Sequence, residues 1–139
     1  MIDPRSDDNA ERMRLFSVDE ANDLLPVIVP ILVALRDLKE QLDAAKLGLD
    51  RLTPAMRGNG HGTEALGLER RIANVIAQLA VGVEQITAKG VEIKDLNQGL
   101  IDFPSSRDGR VVYLCWRLGE ERIAYWHELD AGFAGREPI

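Results

Sequence analysis

Nine apolar positions between Leu24 and Leu52 follow one another at steps of four and three without a slip: Leu24, Ile28, Ile31, Leu35, Leu38, Leu42, Ala45, Leu49 and Leu52. The mean spacing is the period at which one helix presents a straight seam to another. A chain carrying this pattern is committed to a long helix with a partner. Leu25, Leu32 and Val33 widen the stripe near its N-terminal end, which predicts a second neighbour there. Ser17-Val18-Asp19-Glu20 reads as a capping box: the Ser17 hydroxyl accepts from the Glu20 amide, and the Glu20 carboxylate accepts from the Ser17 N–H. Pro26 and Pro30 each remove an amide donor and crowd the preceding turn. They predict a kink or break, with residues 18–25 as a separate or bent turn.

A Pro- and Gly-containing loop around His61 separates this helix from a second, expected over about Glu64 to Lys89. Its seam is Leu68, Ile72, Val75, Leu79 and Ile86, and Gly82 stands where the next seam residue belongs, permitting close approach of a partner backbone. Gly90 closes the helix. Both helices come to about 40 Å, so they predict an antiparallel, coiled-coil-like hairpin over about residues 18–89.

Beyond Gly90 the apolar period changes to two. Val91 and Ile93 alternate with Glu92 and Lys94; Leu100 to Phe103 forms a second extended stretch. Arg110 to Arg117 and Arg122 to Glu128 predict a β-hairpin around Leu118 to Glu121. The fold class is therefore α+β: a long helical hairpin with a small C-terminal antiparallel sheet of three or four strands over about 91–139. Residues 1–14 are polar and aperiodic, a flexible N-terminal tail; 15–139 are expected to be one domain.

Chemistry is concentrated late in the chain. Six of the seven aromatic residues (Phe103, Tyr113, Trp116, Tyr125, Trp126 and Phe133), the single Cys115 and His127 lie in the final third. Imidazole and carboxylates converging from different strands suit a divalent metal such as zinc, and Asp102, His127 and Glu128 are the candidate ligands or acid–base groups, with Cys115 a possible soft ligand. Adjacent His127 and Glu128 point to opposite faces of a regular strand, so both ligate only if the strand bulges or ends there. A cysteine between Leu114 and Trp116 reads as a small buried hydrophobe in preference to a nucleophile. Tyr113, Cys115, Trp116, Arg117, Trp126, Asp130 and Arg136 are candidates for a ligand or partner surface, with Arg117 and Arg136 suited to a small anion. Gly132 to Arg136 lacks the lysine and following helix of a phosphate loop.

A net charge of −6 argues against a nucleic-acid partner. No segment approaches the apolar length of a membrane span, and the N-terminus has no apolar signal core. One cysteine excludes an intrachain disulfide, which fits a reducing cytoplasm. The blocks FSVDEANDLLP, GVEIKD and GLIDFPSSRDGRVVYLCWRLGEERIAYWHELDAGFAGREPI resemble the small prokaryotic domain-of-unknown-function family 2203 over about residues 15–139. That resemblance implies no particular chemistry. The leading expectation is a non-catalytic interaction or scaffold-type module, a homodimer through its helical hairpin, with an unidentified protein partner or small molecule. The alternatives are a metal-dependent, hydrolase-like enzyme using Asp102, His127 and Glu128, and a binder of a small anion.

Overall fold

A computed structural model describes residues 13–52, 54–56 and 60–139. The tail expected over residues 1–14 lies almost wholly outside them, as does part of the loop before His61. Helix α1 spans Val18–Asp50, the short α2 Pro54–Met56, and α3 Gly62–Thr87. Five strands follow: β1 Glu92–Asp95, β2 Leu100–Arg107, β3 Arg110–Arg117, β4 Tyr125–His127 and β5 Glu137–Pro138. They form one antiparallel sheet in the order β1-β2-β3-β4-β5. The architecture is the α+β class the periodicities predict, with five strands in place of three or four.

The capping box forms as read: Ser17 Oγ accepts from the Glu20 N–H at 3.1 Å, and Glu20 Oε1 accepts from the Ser17 N–H at 3.0 Å. The expected break does not form. α1 runs unbroken for 33 residues through both prolines, about 50 Å. Pro26 and Pro30 are four apart and both exposed, so the carbonyls they leave unpaired fall on one stripe that solvent can reach. The N-terminal half of α1 buries Ala21, Leu25, Ile28 and Leu32 against the sheet, while Leu42 and Ala45 continue the helix–helix seam. α3 returns antiparallel. A Cβ placed on Gly82 would strike Leu35 Cδ2 and lie 3.1 Å from its Cγ, so glycine is what lets the helices meet there.

The inner face of the sheet carries Ile101, Phe103, Val112, Leu114, Trp116 and Trp126, which join Phe16, Ile28, Leu32, Leu35 and Ile86 in one core. β2 continues four residues past the expected end at Phe103. Pro104 is tolerated because β1 has already ended, leaving that edge of β2 free. The Pro104 carbonyl accepts from the Phe16 N–H at 2.7 Å, and the Ser105 hydroxyl donates to the Phe16 carbonyl at 2.6 Å. β2 and β3 are joined by Asp108-Gly109, both at positive φ (51° and 78°), a two-residue turn whose twist matches that of the strands. Between β3 and β4 the chain dips inward: Ile123 is buried and its N–H donates to Asn22 Oδ1 on α1 at 2.8 Å. That excursion cuts β4 to three residues, shorter than the Arg122 to Glu128 strand expected.

Candidate functional site

Alternation along the strands assigns a second set of side chains to the outer face, away from the helices. Asp102 on β2 stands opposite Cys115 on β3, and Tyr113 on β3 stands opposite His127 on β4. Directly opposed residues share a face, so Asp102, Tyr113, Cys115 and His127 lie together. The outer face is nevertheless closed. Asp102 and His127 are 2% and 3% exposed, and Cys115 is buried. Part of the cover comes from the C-terminal segment, and Tyr113 packs beside His127. Arg136 stacks over Tyr125 and Phe133 with its guanidinium carbon 4.0 and 4.2 Å from the ring centroids. Its Nη1 donates to Glu120 Oε1 at 2.9 Å, and it reaches the Cys115 thiol.

At the centre, His127 Nε2 lies 3.0 Å from Asp102 Oδ2, and His127 Nδ1 lies 2.7 Å from the Glu128 carbonyl oxygen. A carbonyl only accepts, so Nδ1 carries a proton and donates it. The Nε2–Oδ2 contact then holds one further proton, on the imidazole as an ion pair or on the carboxyl as a neutral pair. Burial raises the Asp102 carboxyl above its ordinary value, against the opposing pull of the His127 charge and hydrogen bond, which favours the neutral form. Asp102 Oδ1 has no hydrogen-bond partner among the described residues. Burial, with the neighbouring Asp102 charge, pushes the Cys115 thiol up to about 12, against the pull of Arg136. A thiol in that state is no nucleophile at neutral pH.

One donor atom each from Asp102, Cys115 and His127 lies within 4.8 Å of the others, the arrangement from which a cation can be held. Glu128 is not part of that cluster. Its carboxylate accepts from Arg110 at 3.1 Å on the opposite side of β4, which lowers its pKa, first through that hydrogen bond. The alternation of His127 and Glu128 already anticipated this split. The replacement of Glu128 by Cys115 depended on register, because only the pairing of β2 with β3 sets Asp102 against Cys115.

The other candidates divide between the two faces. Trp116 and Trp126 face the core at 3% and 8% exposure, and the Trp116 indole N–H has no partner among the described residues. Tyr113 packs on the His127 ring at 5.4 Å and under the Lys94 ammonium at 4.5 Å. Arg117 is exposed over Phe133, and Arg136 is occupied by Glu120 and two rings. Asp130 is exposed in the turn before Phe133.

Compared with known families, the chain matches, over residues 14–139, the one described as Uncharacterized conserved protein (DUF2203). It belongs to that family. The match spans the hairpin, the sheet and the covered cluster together, so the cluster lies within the family's own domain. No curated protein and no solved structure matches. Among the described residues of this family member, no helix is long and apolar enough to cross a membrane.

One further feature lies outside the cluster. A groove of about 600 Å³, open to solvent, runs between α1 and α3 and is lined by Pro30, Ala34, Leu38, Ala77, Val81 and Gly82 among others. None of its 11 lining residues is charged, in a chain where 29% are. The expected homodimer through the helical hairpin already implied an uncovered face on the pair; the groove and most of its lining residues follow only from how α1 and α3 pack.

Proposed function

We propose that this protein is a non-catalytic interaction module that works as a homodimer, the grooves of two hairpins packing face to face as a four-helix bundle. The observation that carries the reading is the uncharged groove. Charged residues are depleted at the centre of protein interfaces, and small residues let helices from two chains approach closely. Ala34, Ala77 and Gly82 supply the small residues, and Val81, 60% exposed, stands at the rim as an apolar contact without cover. A two-fold axis, the commonest symmetry of soluble assemblies, would set the groove against its own copy. The dimer leaves the sheet ends of both hairpins open to a further partner, protein or small molecule.

The alternative, a metal-dependent hydrolase-like enzyme using Asp102, His127 and Glu128, gains support from the Asp102–His127 contact. It is opposed by the lack of a solvent-reached cleft at that pair and by the engagement of Glu128 with Arg110. A small-anion site at Arg117 and Arg136 is opposed by the Glu120 pairing of Arg136.

The test is mass in solution, by light scattering over a concentration series. The wild type is expected at twice the 15.4 kDa chain mass, and Val81→Asp, an exposed change, at one chain mass with an unaltered helical spectrum. A wild type that stays monomeric well above micromolar concentration overturns the reading.

A further inference from the structure

We propose that Asp102, Cys115 and His127 form a binding site for a divalent cation of the zinc type, whose role is to tie β2, β3 and β4 together beneath the C-terminal segment. This inference is independent of the dimer and assigns the cluster a ligand with no reaction.

The donor set comes first. Carboxylate, thiolate and imidazole together suit a borderline-soft ion such as Zn²⁺, and less well Mg²⁺ or Ca²⁺, which prefer all-oxygen cages. In tetrahedral zinc, bond lengths of about 2.0 to 2.3 Å put donor atoms roughly 3.3 to 3.6 Å apart. His127 Nε2 and Asp102 Oδ2 stand at 3.0 Å, and the three donors fall within 4.8 Å of one another. A spreading of a few tenths of an ångström at the first pair and an inward turn of the Cys115 side chain would seat the ion. The strands would not need to move.

The shell around the donors has the form that ligand histidines show. Donation from His127 Nδ1 to the Glu128 carbonyl at 2.7 Å fixes the tautomer that leaves the Nε2 lone pair facing Asp102, which is the second contact a metal-bound imidazole makes. The two neighbouring cations already have anions of their own: Arg136 pairs with Glu120 at 2.9 Å and Lys94 with Glu92 at 3.0 Å.

The independent observation is Asp102 Oδ1. This carboxylate oxygen sits on a residue 2% exposed, with no hydrogen-bond partner among the described residues. Buried polar atoms are almost always satisfied. Bidentate binding of the cation by Asp102 would satisfy Oδ1 and complete the coordination that three residues leave open. With Asp102 and Cys115 ionised, the charge of a divalent ion is balanced inside the fold, which lowers the cost of burying all three.

The experiment uses the full chain, stripped with chelator and dialysed, then titrated with Zn²⁺ by calorimetry and with Co²⁺ by absorbance. One equivalent of Zn²⁺ is expected to bind and to raise the melting temperature. The Co²⁺ form is expected to show a thiolate-to-metal charge-transfer band in the near ultraviolet and the strong visible bands of tetrahedral cobalt. Changes around a metal site cost 10–100-fold in affinity, so Cys115→Ser, which keeps the size of the side chain, should weaken Zn²⁺ binding by at least about 100-fold. It should also remove the charge-transfer band. The exposed His61, 3.1 Å from Glu64, is the competing surface site, and His61→Ala should change nothing. If the folded wild type takes up no Zn²⁺, or if its Co²⁺ form lacks the thiolate band, the inference fails. It also fails if binding is lost in His61→Ala and kept in Cys115→Ser. The wild-type cobalt spectrum decides the matter even if Cys115→Ser does not fold.

Discussion

His127 is held at both ring nitrogens, and its two contacts are chemically unequal. The Glu128 carbonyl can only accept, whereas the Asp102 carboxyl can accept or donate. Removing the ring takes from the buried Asp102 the hydrogen bond at Oδ2 and leaves the Cys115 thiol as its neighbour. In the metal-free protein His127→Ala is therefore expected to cost about 2 kcal/mol, measured as a loss of unfolding free energy in urea, the figure for a neutral buried group left unsatisfied. Asp102→Asn separates the two proton placements. An asparagine amide donates to Nε2 as a protonated carboxyl does, so a neutral pair predicts a loss below about 1 kcal/mol, and an ion pair a far larger one. Burial of Asp102 points to the small loss. Glu20 provides the opposite sign. Its carboxyl is held below the ordinary value, first by the Ser17 backbone N–H and then by the Ser17 side chain. A depressed folded-state pKa contributes stability above the ordinary carboxylate value and loses it as pH falls through the lowered one. The difference in melting temperature between wild type and Glu20→Ala should accordingly shrink on acidification. A gap that widens would show that another group controls the cap.

At the scale of elements, Gly82 sets how closely α1 and α3 approach. Alanine there would gain about 1 kcal/mol of helix propensity but would drive a methyl group into Leu35, which is 1% exposed and has little room to turn. Overpacking typically costs 1–3 kcal/mol, so Gly82→Ala should be net destabilising by roughly 1 kcal/mol in chemical denaturation. A stabilised variant would mean that the helices can spread. Gly82 was legible in the sequence because a missing side chain in a regular seam has a single spatial meaning. The break that the prolines suggested does not form, since both are exposed on one stripe of a helix that continues through them. The Asp108-Gly109 turn is a strong local signal, yet the second extended stretch, as expected from the sequence, ends at Phe103, four residues too early. β5 was out of reach: two residues hold no period, and only the return of the C-terminal segment brings Glu137 and Pro138 beside β4. The Asp102, Cys115 and His127 cluster was half visible, since residue types and alternation pointed to Asp102 and His127. Cys115 stood there only as a possible soft ligand, because its place beside Asp102 needs a register that sequence spacing alone leaves free.

The whole molecule places its two candidate surfaces apart: an uncharged groove on the hairpin and a sealed cluster on the far side of the sheet. Nearly all its architecture is made from neighbours in sequence. The helices form a hairpin, and every strand pairs with the next one along the chain. Among the described residues, hydrogen bonds that span the length of the chain include Phe16 with Pro104 and Ser105, and Asn22 with Ile123. Two locally wired halves can each organise early, and the long-range clasp closes last, after the slowest loop has been paid for. Interactions absent at the barrier govern the escape rate from the native state and leave the rate of arrival almost untouched. Loss of the Asn22 acceptor, worth about 1 kcal/mol, should then speed unfolding about fivefold in Asn22→Ala while the refolding limb of the chevron overlays that of the wild type. A slowed refolding limb would place the clasp at the start of folding. If it closes last, the lifetime of the native protein is set by a short stretch near its N-terminal end, far along the chain from the residues it holds in place.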